Sequence, residues 1–337
     1  MPLLRDYTMA AIIQVDNLTK KYGNKTVVDH ISFSIEENEI FGMLGPNGAG
    51  KTTTIKMLNT LATISEGKAS VAGCDVGKNP GAVRASIGVV PQELTADDEL
   101  KGIENLILSA KLHHVPGDAA RKKSDELLKL VDLENSAERR VKTFSGGMRR
   151  RLQLAMGLIH SPKIVFLDEP SLGLDIQTRR NMWDYIRRLN KESGLTVFMT
   201  THYLEEADAL CGRVAIIDGG LIKVMGSPSE LKSKVGGDVL TMEVGEGPDL
   251  TSFIGGLEGV QQVTRNGQKY QVKLPKAEKA LPGIVQGVVQ NGVTINEISF
   301  SKPSLEQVFL EVTGRSMSDA EESGDVLGQR VMIERMK

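Results

Sequence analysis

The stretch Gly45-Pro46-Asn47-Gly48-Ala49-Gly50-Lys51-Thr52-Thr53 decides how the chain is read. It follows an apolar segment, Glu39 to Leu44, and leads into Thr54 to Asn59, which reads as a helix. Strand, glycine-rich loop and helix in that order, with the pattern GxxxxGK[ST] complete, meet the requirements of a phosphate-binding loop. Glycines let successive backbone N–H groups turn toward one point, and the helix N-terminus adds its dipole to that nest. Lys51 is then expected to reach the β- and γ-phosphates of a nucleotide, and the Thr52 hydroxyl to ligate magnesium. The competing reading, a glycine-rich turn with no ligand, leaves the complete framing unexplained.

The 337-residue chain exceeds one average domain, so one large and one small domain are expected. With 40% apolar and 25% charged residues it has the composition of a soluble globular protein. A net charge of -2 gives no pull toward nucleic acid or an anionic membrane. Cys74 and Cys211 are too few for a zinc site or a disulfide framework, which points to a reducing compartment. No apolar run approaches the roughly 18 residues that span a bilayer. The N-terminal residues carry no charged region followed by an apolar signal core. Any membrane role is therefore expected to run through a partner.

Ile12 to Val15 and Thr26 to Ile35 read as strands, with Tyr22 in a turn between them. The tyrosine ring offers a face for a nucleotide base, a role that the phosphate loop downstream favours. Gly67 to Val76 looks like a hairpin or β-edge, and Ile87 to Val90 a strand that Pro91 stops, with polar Gln92 at its end. Residues 93 to 143 read as mostly helical. His113 and His114 would point about 100° apart on a helix and suit one metal poorly.

Thr143-Phe144-Ser145-Gly146-Gly147-Met148 opens another helix with Ser145 as N-cap, a second anion-binding terminus. The basic cluster Arg139, Arg140, Lys142 and Arg149 to Arg151 lacks interleaved aromatics, so it reads as a solvated face rather than a nucleic-acid patch. Ile164-Val165-Phe166-Leu167 suits a strand buried on both faces of a parallel sheet. Asp168 and Glu169 end it, where open α/β sheets bind ligands. Asp168 is expected to hold magnesium through water and Glu169 to polarise an attacking water. A further buried strand, Thr196 to Thr201, ends at His202 on the same edge, which places His202 near a γ-phosphate.

Together these residues resemble the ATP-binding subunit of an ATP-binding cassette (ABC) transporter over about residues 11 to 236. Tyr22 looks like the A-loop aromatic, Gly45 to Thr52 like Walker A and Gln92 like the Q-loop glutamine. Ser145-Gly146-Gly147-Met148 looks like the family signature, the discriminating element, since Walker motifs alone mark P-loop proteins generally. Ile164 to Asp168 with Glu169 looks like Walker B and its catalytic glutamate, Ser171 to Asp175 like the D-loop, and His202 like the switch histidine. Phe144 and Ser171 depart from the usual leucine and threonine or alanine.

The resemblance implies an α/β P-loop ATPase with a mixed sheet, a β-edge and a helical subdomain at about 93–160. It implies ATP and Mg2+ as cofactors, with Thr52, Gln92 and Asp168 at the metal and Lys51, Gln92, Glu169 and His202 in catalysis. It also implies a head-to-tail homodimer in which Ser145, Gly146, Gly147 and Asp175 act in trans on ATP held by Gly45 to Thr53 of the other copy. The helical subdomain would receive an integral membrane permease at the cytoplasmic face. No nucleic-acid partner is expected.

After Gly236-Gly237 the order strand, helix, strand, strand, helix, strand points to a small ferredoxin-like α+β domain over 239–313, with Asn266-Gly267 as a hairpin turn. Pro282 is expected to distort or shorten the helix Ala277 to Gln290. Ser301 to Leu310 resembles the ending of cassettes in daunorubicin-type ABC-2 exporters, which implies export of a drug-like or lipid-like substrate. Residues 314–337 read as a flexible tail. A soluble ABC ATPase acting on nucleic acid or ribosomes, an ABC importer ATPase, or a P-loop phosphotransferase are the rival readings. The last leaves Ser145-Gly146-Gly147 and His202 unexplained.

Overall fold

The computed structural model describes residues 11–275 and 277–320. Residues 1–10, where no signal core was expected, and residues 321–337 of the expected tail lie outside the described residues. The described chain divides into two units, one running through Ser227 and taken up again at Met317, the other Pro228–Ser316.

The first unit opens with β1 (Ala11–Tyr22) and β2 (Lys25–Glu36), then β3 (Ile40–Leu44) and α1 (Lys51–Leu58). Next come β4 (Glu66–Val71), β5 (Cys74–Asp75), α2 (Pro80–Ser86) and β6 (Ile87–Val90). Helices α3 (Gly102–Leu112), α4 (Gly117–Leu130) and α5 (Gly146–Gly157) follow as the helical region. The unit then alternates strand and helix through β7 (Ile164–Asp168), α6 (Ile176–Ser193), β8 (Thr196–Thr201) and α7 (Leu204–Leu210), and closes with β9 (Arg213–Asp218) and β10 (Leu221–Gly226).

Strands β3, β7 and β8 are buried along their whole length, as a sheet covered on both faces requires. They lie in a six-stranded sheet of order β10-β9-β3-β8-β7-β6, parallel except for β10. A four-stranded antiparallel sheet, β2-β1-β4-β5, forms the β-edge. Phe33 of β2 stacks on Phe41 of β3 with centroids 5.5 Å apart, and Phe198 meets Phe41 edge-on at 5.7 Å, so one aromatic core joins the two sheets. The register brings the C-terminal ends of β3, β7 and β8 to one edge, which gathers the residues that follow each strand.

The second unit begins with α8 (Pro228–Lys234), earlier than the expected boundary near Gly236, because α8 packs against the final helix of the same unit. Its remaining elements are β11 (Asp238–Val244), α9 (Thr251–Gly255), β12 (Gln262–Asn266), β13 (Lys269–Leu274), α10 (Ala277–Gln290), β14 (Ile295–Ser301) and α11 (Leu305–Thr313). The sheet order β12-β13-β11-β14, all antiparallel, is the ferredoxin-like arrangement. Leu240, Met242, Tyr270, Val272, Ile284 and Val288 form its core.

Three expectations shift. Asn266 pairs with Lys269, so the hairpin turn is Gly267-Gln268, with Gly267 at φ 63° in its first central position. Pro282 does not shorten α10. It lies on the exposed face, while buried Ile284 and Val288 hold the helix down. Residues 317–320, expected to be disordered, form a helical turn because Met317 and Ala320, three positions apart, are both buried.

Candidate active site

The loop between β3 and α1 follows from its glycines. Gly48 at φ 80° and Gly50 at φ 109° occupy left-handed backbone, and a Cβ on Gly45 would lie 2.2 Å from the Ile217 carbonyl oxygen. Pro46 and Ala49 are buried, whereas Asn47 and Gly48 face solvent. The Lys51 ammonium is buried under the loop, donating to Gly45 O at 2.7 Å and Pro46 O at 3.2 Å. Thr52 and Thr53, in the first turn of α1, are half-buried.

Behind the loop, β7 delivers Asp168 and Glu169. Asp168 Oδ1 accepts from Thr52 Oγ1 at 3.1 Å and from Thr200 Oγ1 at 2.6 Å, which ties α1 to the end of β7 and to β8. Thr52 and Asp168 supply hard oxygen donors of the kind magnesium takes. No group of three or more His, Cys, Asp or Glu suited to a metal exists among the described residues, so this pair would rely on phosphate and water oxygens.

Glu169 is buried with its backbone at φ 50°, a conformation that costs a residue with a side chain about 1–3 kcal/mol and persists only when its surroundings enforce it. Here its N–H donates to Thr200 O at 3.1 Å, and its carbonyl accepts from Arg150 Nη2 at 2.8 Å. The carboxylate lies between Lys51 Nζ, at 3.3 Å from Oε1, and His202 Nδ1, at 3.3 Å from Oε2. The histidine approach lacks the alignment of a full hydrogen bond. Burial pushes the Glu169 carboxyl up, but His202 and Lys51 outweigh it and hold the group below the usual Glu range. A buried carboxylate whose ionised form is favoured has the character that a water-activating base requires.

The remaining expected residues stand apart from this cluster. Gln92 follows β6 with an exposed side chain that shares no hydrogen bond with Thr52 or Asp168; its carbonyl accepts from Arg150 at 3.2 Å. Tyr22 ends β1 with a half-exposed ring, and the Lys20 ammonium lies 4.9 Å from its centroid. Ser145 caps α5 by accepting from Met148 N at 3.3 Å, and Asp175 caps α6 by accepting from Thr178 N at 2.9 Å. The Thr178 hydroxyl and backbone hold the Asp175 carboxyl below its usual value. A Cβ on Gly147 would lie 2.5 Å from Thr178 Cγ2, so α5 approaches the turn after Asp175 as closely as a glycine allows, whereas nothing stands within 4 Å of a Cβ on Gly146.

Two residues escaped the sequence reading. Arg150, expected on a solvated face, is 4% exposed. Three consecutive arginines on a helix point in three directions at 100° intervals, and the middle one turns inward. Arg149 instead pairs with Asp98 at 2.7 Å, and Arg151 donates to Val131 O at 2.9 Å. Glu206, on α7, is fully buried and accepts from Trp183 Nε1 at 3.0 Å; burial raises its carboxyl above the usual range.

Comparison with known proteins agrees with this geometry. Residues 28–172 match the ABC transporter family, and residues 226–313 match the DrrA1-3-like ATP-binding protein C-terminal domain. The chain is 39% identical over 304 residues to the daunorubicin resistance ATP-binding protein DrrA3 of Streptomyces coeruleorubidus, covering 90% of this chain and 96% of that protein. It is 35% identical over 312 residues to the linearmycin resistance ATP-binding protein LnrL of Bacillus subtilis, covering 91% and 100%. A dimeric ATP-binding cassette in a post-hydrolysis state with ADP and Pi superposes with a TM-score of 0.58 at 26% identity, over 64% of this chain and 98% of that one. The chain belongs to the ATP-binding, ATP-hydrolysing subunits of ABC transporters, in the exporter branch that carries a DrrA-like C-terminal domain.

Proposed function

We propose that two copies of this chain pair head to tail under an ABC-2 type permease at the cytoplasmic face of the membrane. ATP and Mg2+ would be held between the copies, and the pair would drive export of an amphiphilic, antibiotic-like compound. The observation that carries the pairing is the separation of the expected residues into two groups. Lys51, Thr52, Asp168, Glu169 and His202 are joined by direct contacts, while Ser145 bonds only within its own helix cap and Gly146 has open space above it. An exposed helix N-terminus left outside its own site suits the phosphates of a nucleotide presented by a second copy.

In this reading the loop N–H groups and Lys51 would bind the phosphates, and Thr52, Asp168 and Gln92 would hold Mg2+. The ion would supply charge neutralisation on the phosphate oxygens. Glu169 takes the proton of the attacking water, and His202, against the same carboxylate, orients it. The exposed Tyr22 ring provides a stacking face for the adenine. Once the γ-phosphate that both copies share is gone, the closed pair loses its differential binding and opens.

The permease surface is supported by a groove of about 290 Å³ lined by Leu61, Val89, His113, Met156, Gly157 and His160, next to helices α3 and α5. The names of the antibiotic-resistance relatives support an antibiotic-like cargo. Ser145→Arg tests the composite site: the single chain should bind ATP as before, while ATP-dependent dimerisation in light scattering and turnover are lost. Loss of ATP binding by the monomeric variant would refute the pairing.

A further inference from the structure

Arg150 is buried in the centre of the unit without a carboxylate of its own. Its guanidinium is spent mostly on backbone carbonyls. Nε donates to Pro170 O at 2.9 Å, and Nη2 to Asp168 O at 3.0 Å and Glu169 O at 2.8 Å. Nη1 reaches Pro91 O at 2.7 Å, Gln92 O at 3.2 Å and Gln153 Oε1 at 2.8 Å. Gln153, three residues on, extends the same hold with Nε2 to Glu93 O at 2.6 Å and to Pro91 O at 3.2 Å. Burying a charge is costly unless it is fully bonded and balanced, and the neighbouring Asp168, Glu206 and Glu169 carboxylates supply the balance.

We propose that Arg150 is a positioning residue for ATP hydrolysis, clamping the backbones of Asp168–Pro170 and Pro91–Gln92 to helix α5 and so fixing the Asp168 and Glu169 carboxylates in working register. Glu169 is the residue that needs such a clamp. Its φ of 50° is not a conformation it adopts unaided, and of the two donors on its carbonyl, Arg150 Nη2 at 2.8 Å is the shorter and the charged one, against Leu172 N at 3.2 Å. Released, the peptide relaxes and swings the carboxylate away from Lys51 and His202. The same guanidinium grips the backbone of Gln92, so the two loops move as one body with the helix that Ser145 caps. A displacement of α5 is thereby passed to Asp168, Glu169 and Gln92 within one chain. A planar fork with five N–H groups is required; a lysine ammonium, with three donors on a flexible stem, satisfies only part of the set.

The proposal rests on Glu169 as the base, so Glu169→Gln is measured alongside. The test uses the full chain carrying Arg150→Lys or Arg150→Gln, which keep donors for the buried carbonyls; Arg150→Met serves only as a folding control. Affinity for ATP is titrated with Mg2+ and with EDTA, and steady-state hydrolysis gives kcat and KM. Arg150→Lys should keep the EDTA affinity within about twofold while the gain in affinity from Mg2+ shrinks severalfold. Its kcat should fall about tenfold to a hundredfold, the scale expected when a catalytic group is misplaced by about 1 Å, while KM rises by no more than the severalfold loss of Mg2+-dependent affinity. Wild-type kcat and Mg2+ gain in Arg150→Lys, with Glu169→Gln inactive, would overturn the proposal. So would a loss of EDTA affinity that tracks a lowered melting temperature, since that marks a general folding role. An active Glu169→Gln would instead sink the underlying site assignment.

Discussion

Lys51 Nζ and Glu169 Oε1 lie 3.3 Å apart, both almost wholly buried, so the cation proposed to bind phosphate and the anion proposed to activate water form one charge pair in the interior. Lys51 helps hold the Glu169 carboxyl low, so changing either one moves the site beyond the atom removed.

Replacement of Glu169 by Gln keeps the shape and removes the base. Turnover should fall by about 10²–10⁴-fold, the usual range for a lost general base, with ATP affinity held within a few-fold. Near-normal hydrolysis in the presence of the transport partner would count against the role. Because the folded carboxyl titrates low, its stabilising ionised form is present above the ordinary Glu value of about 4.3 and is lost as pH falls through the lowered one. The wild-type chain should therefore lose more melting temperature than Glu169→Gln on descending below about pH 4.3.

Lys51→Ala removes charge-assisted bonds to phosphate, worth about 1.5–3 kcal/mol, and should weaken ATP at least tenfold. ATP-driven pairing should vanish with it. Titration of the variant with ATP checks the first effect and light scattering the second; unchanged affinity would reassign the loop.

The contact of α5 with Thr178 is steric. Gly147→Ala places a Cβ 2.5 Å from Thr178 Cγ2 and should destabilise by about 1–3 kcal/mol through overpacking. Thr178→Ser removes that methyl and keeps the hydroxyl that donates to Asp175 Oδ2 at 2.6 Å. The double variant should recover most of the loss in thermal unfolding; failure to recover would place the strain elsewhere.

Buried Glu206 has a raised pKa, so its favourable protonated form is fully present below the ordinary Glu range and is lost as pH rises through the raised value. Glu206→Gln has no such loss. Its melting temperature relative to wild type should therefore climb between pH 5 and pH 8 (about 1 kcal/mol per shifted unit). A pH-independent difference would show that Trp183 and its neighbours already compensate the charge.

The loop Gly45 to Thr53, the strand ends Asp168, Glu169 and His202, and the cap Ser145 were legible in sequence. Each is a local pattern: a glycine spacing, an apolar run with a polar end, an N-cap before two glycines. The same holds for the strand, helix, strand, strand, helix, strand order from β11 to β14. What a sequence carries locally, it displays.

Tertiary structure alone decided which of these residues meet. Thr52, Asp168 and Thr200 come together because three parallel strands end at one edge, while Gln92, Ser145 and Asp175 stay outside that circle. It also decided the fate of Arg149-Arg150-Arg151. One charge density in sequence becomes a surface ion pair, a buried backbone clamp and a bridge to Val131, because only the packed environment of α5 fixes which helical direction faces carbonyl groups and which faces water. Pro282 and the turn at 317–320 followed the same rule, since burial of neighbours three or four positions away outweighed local composition.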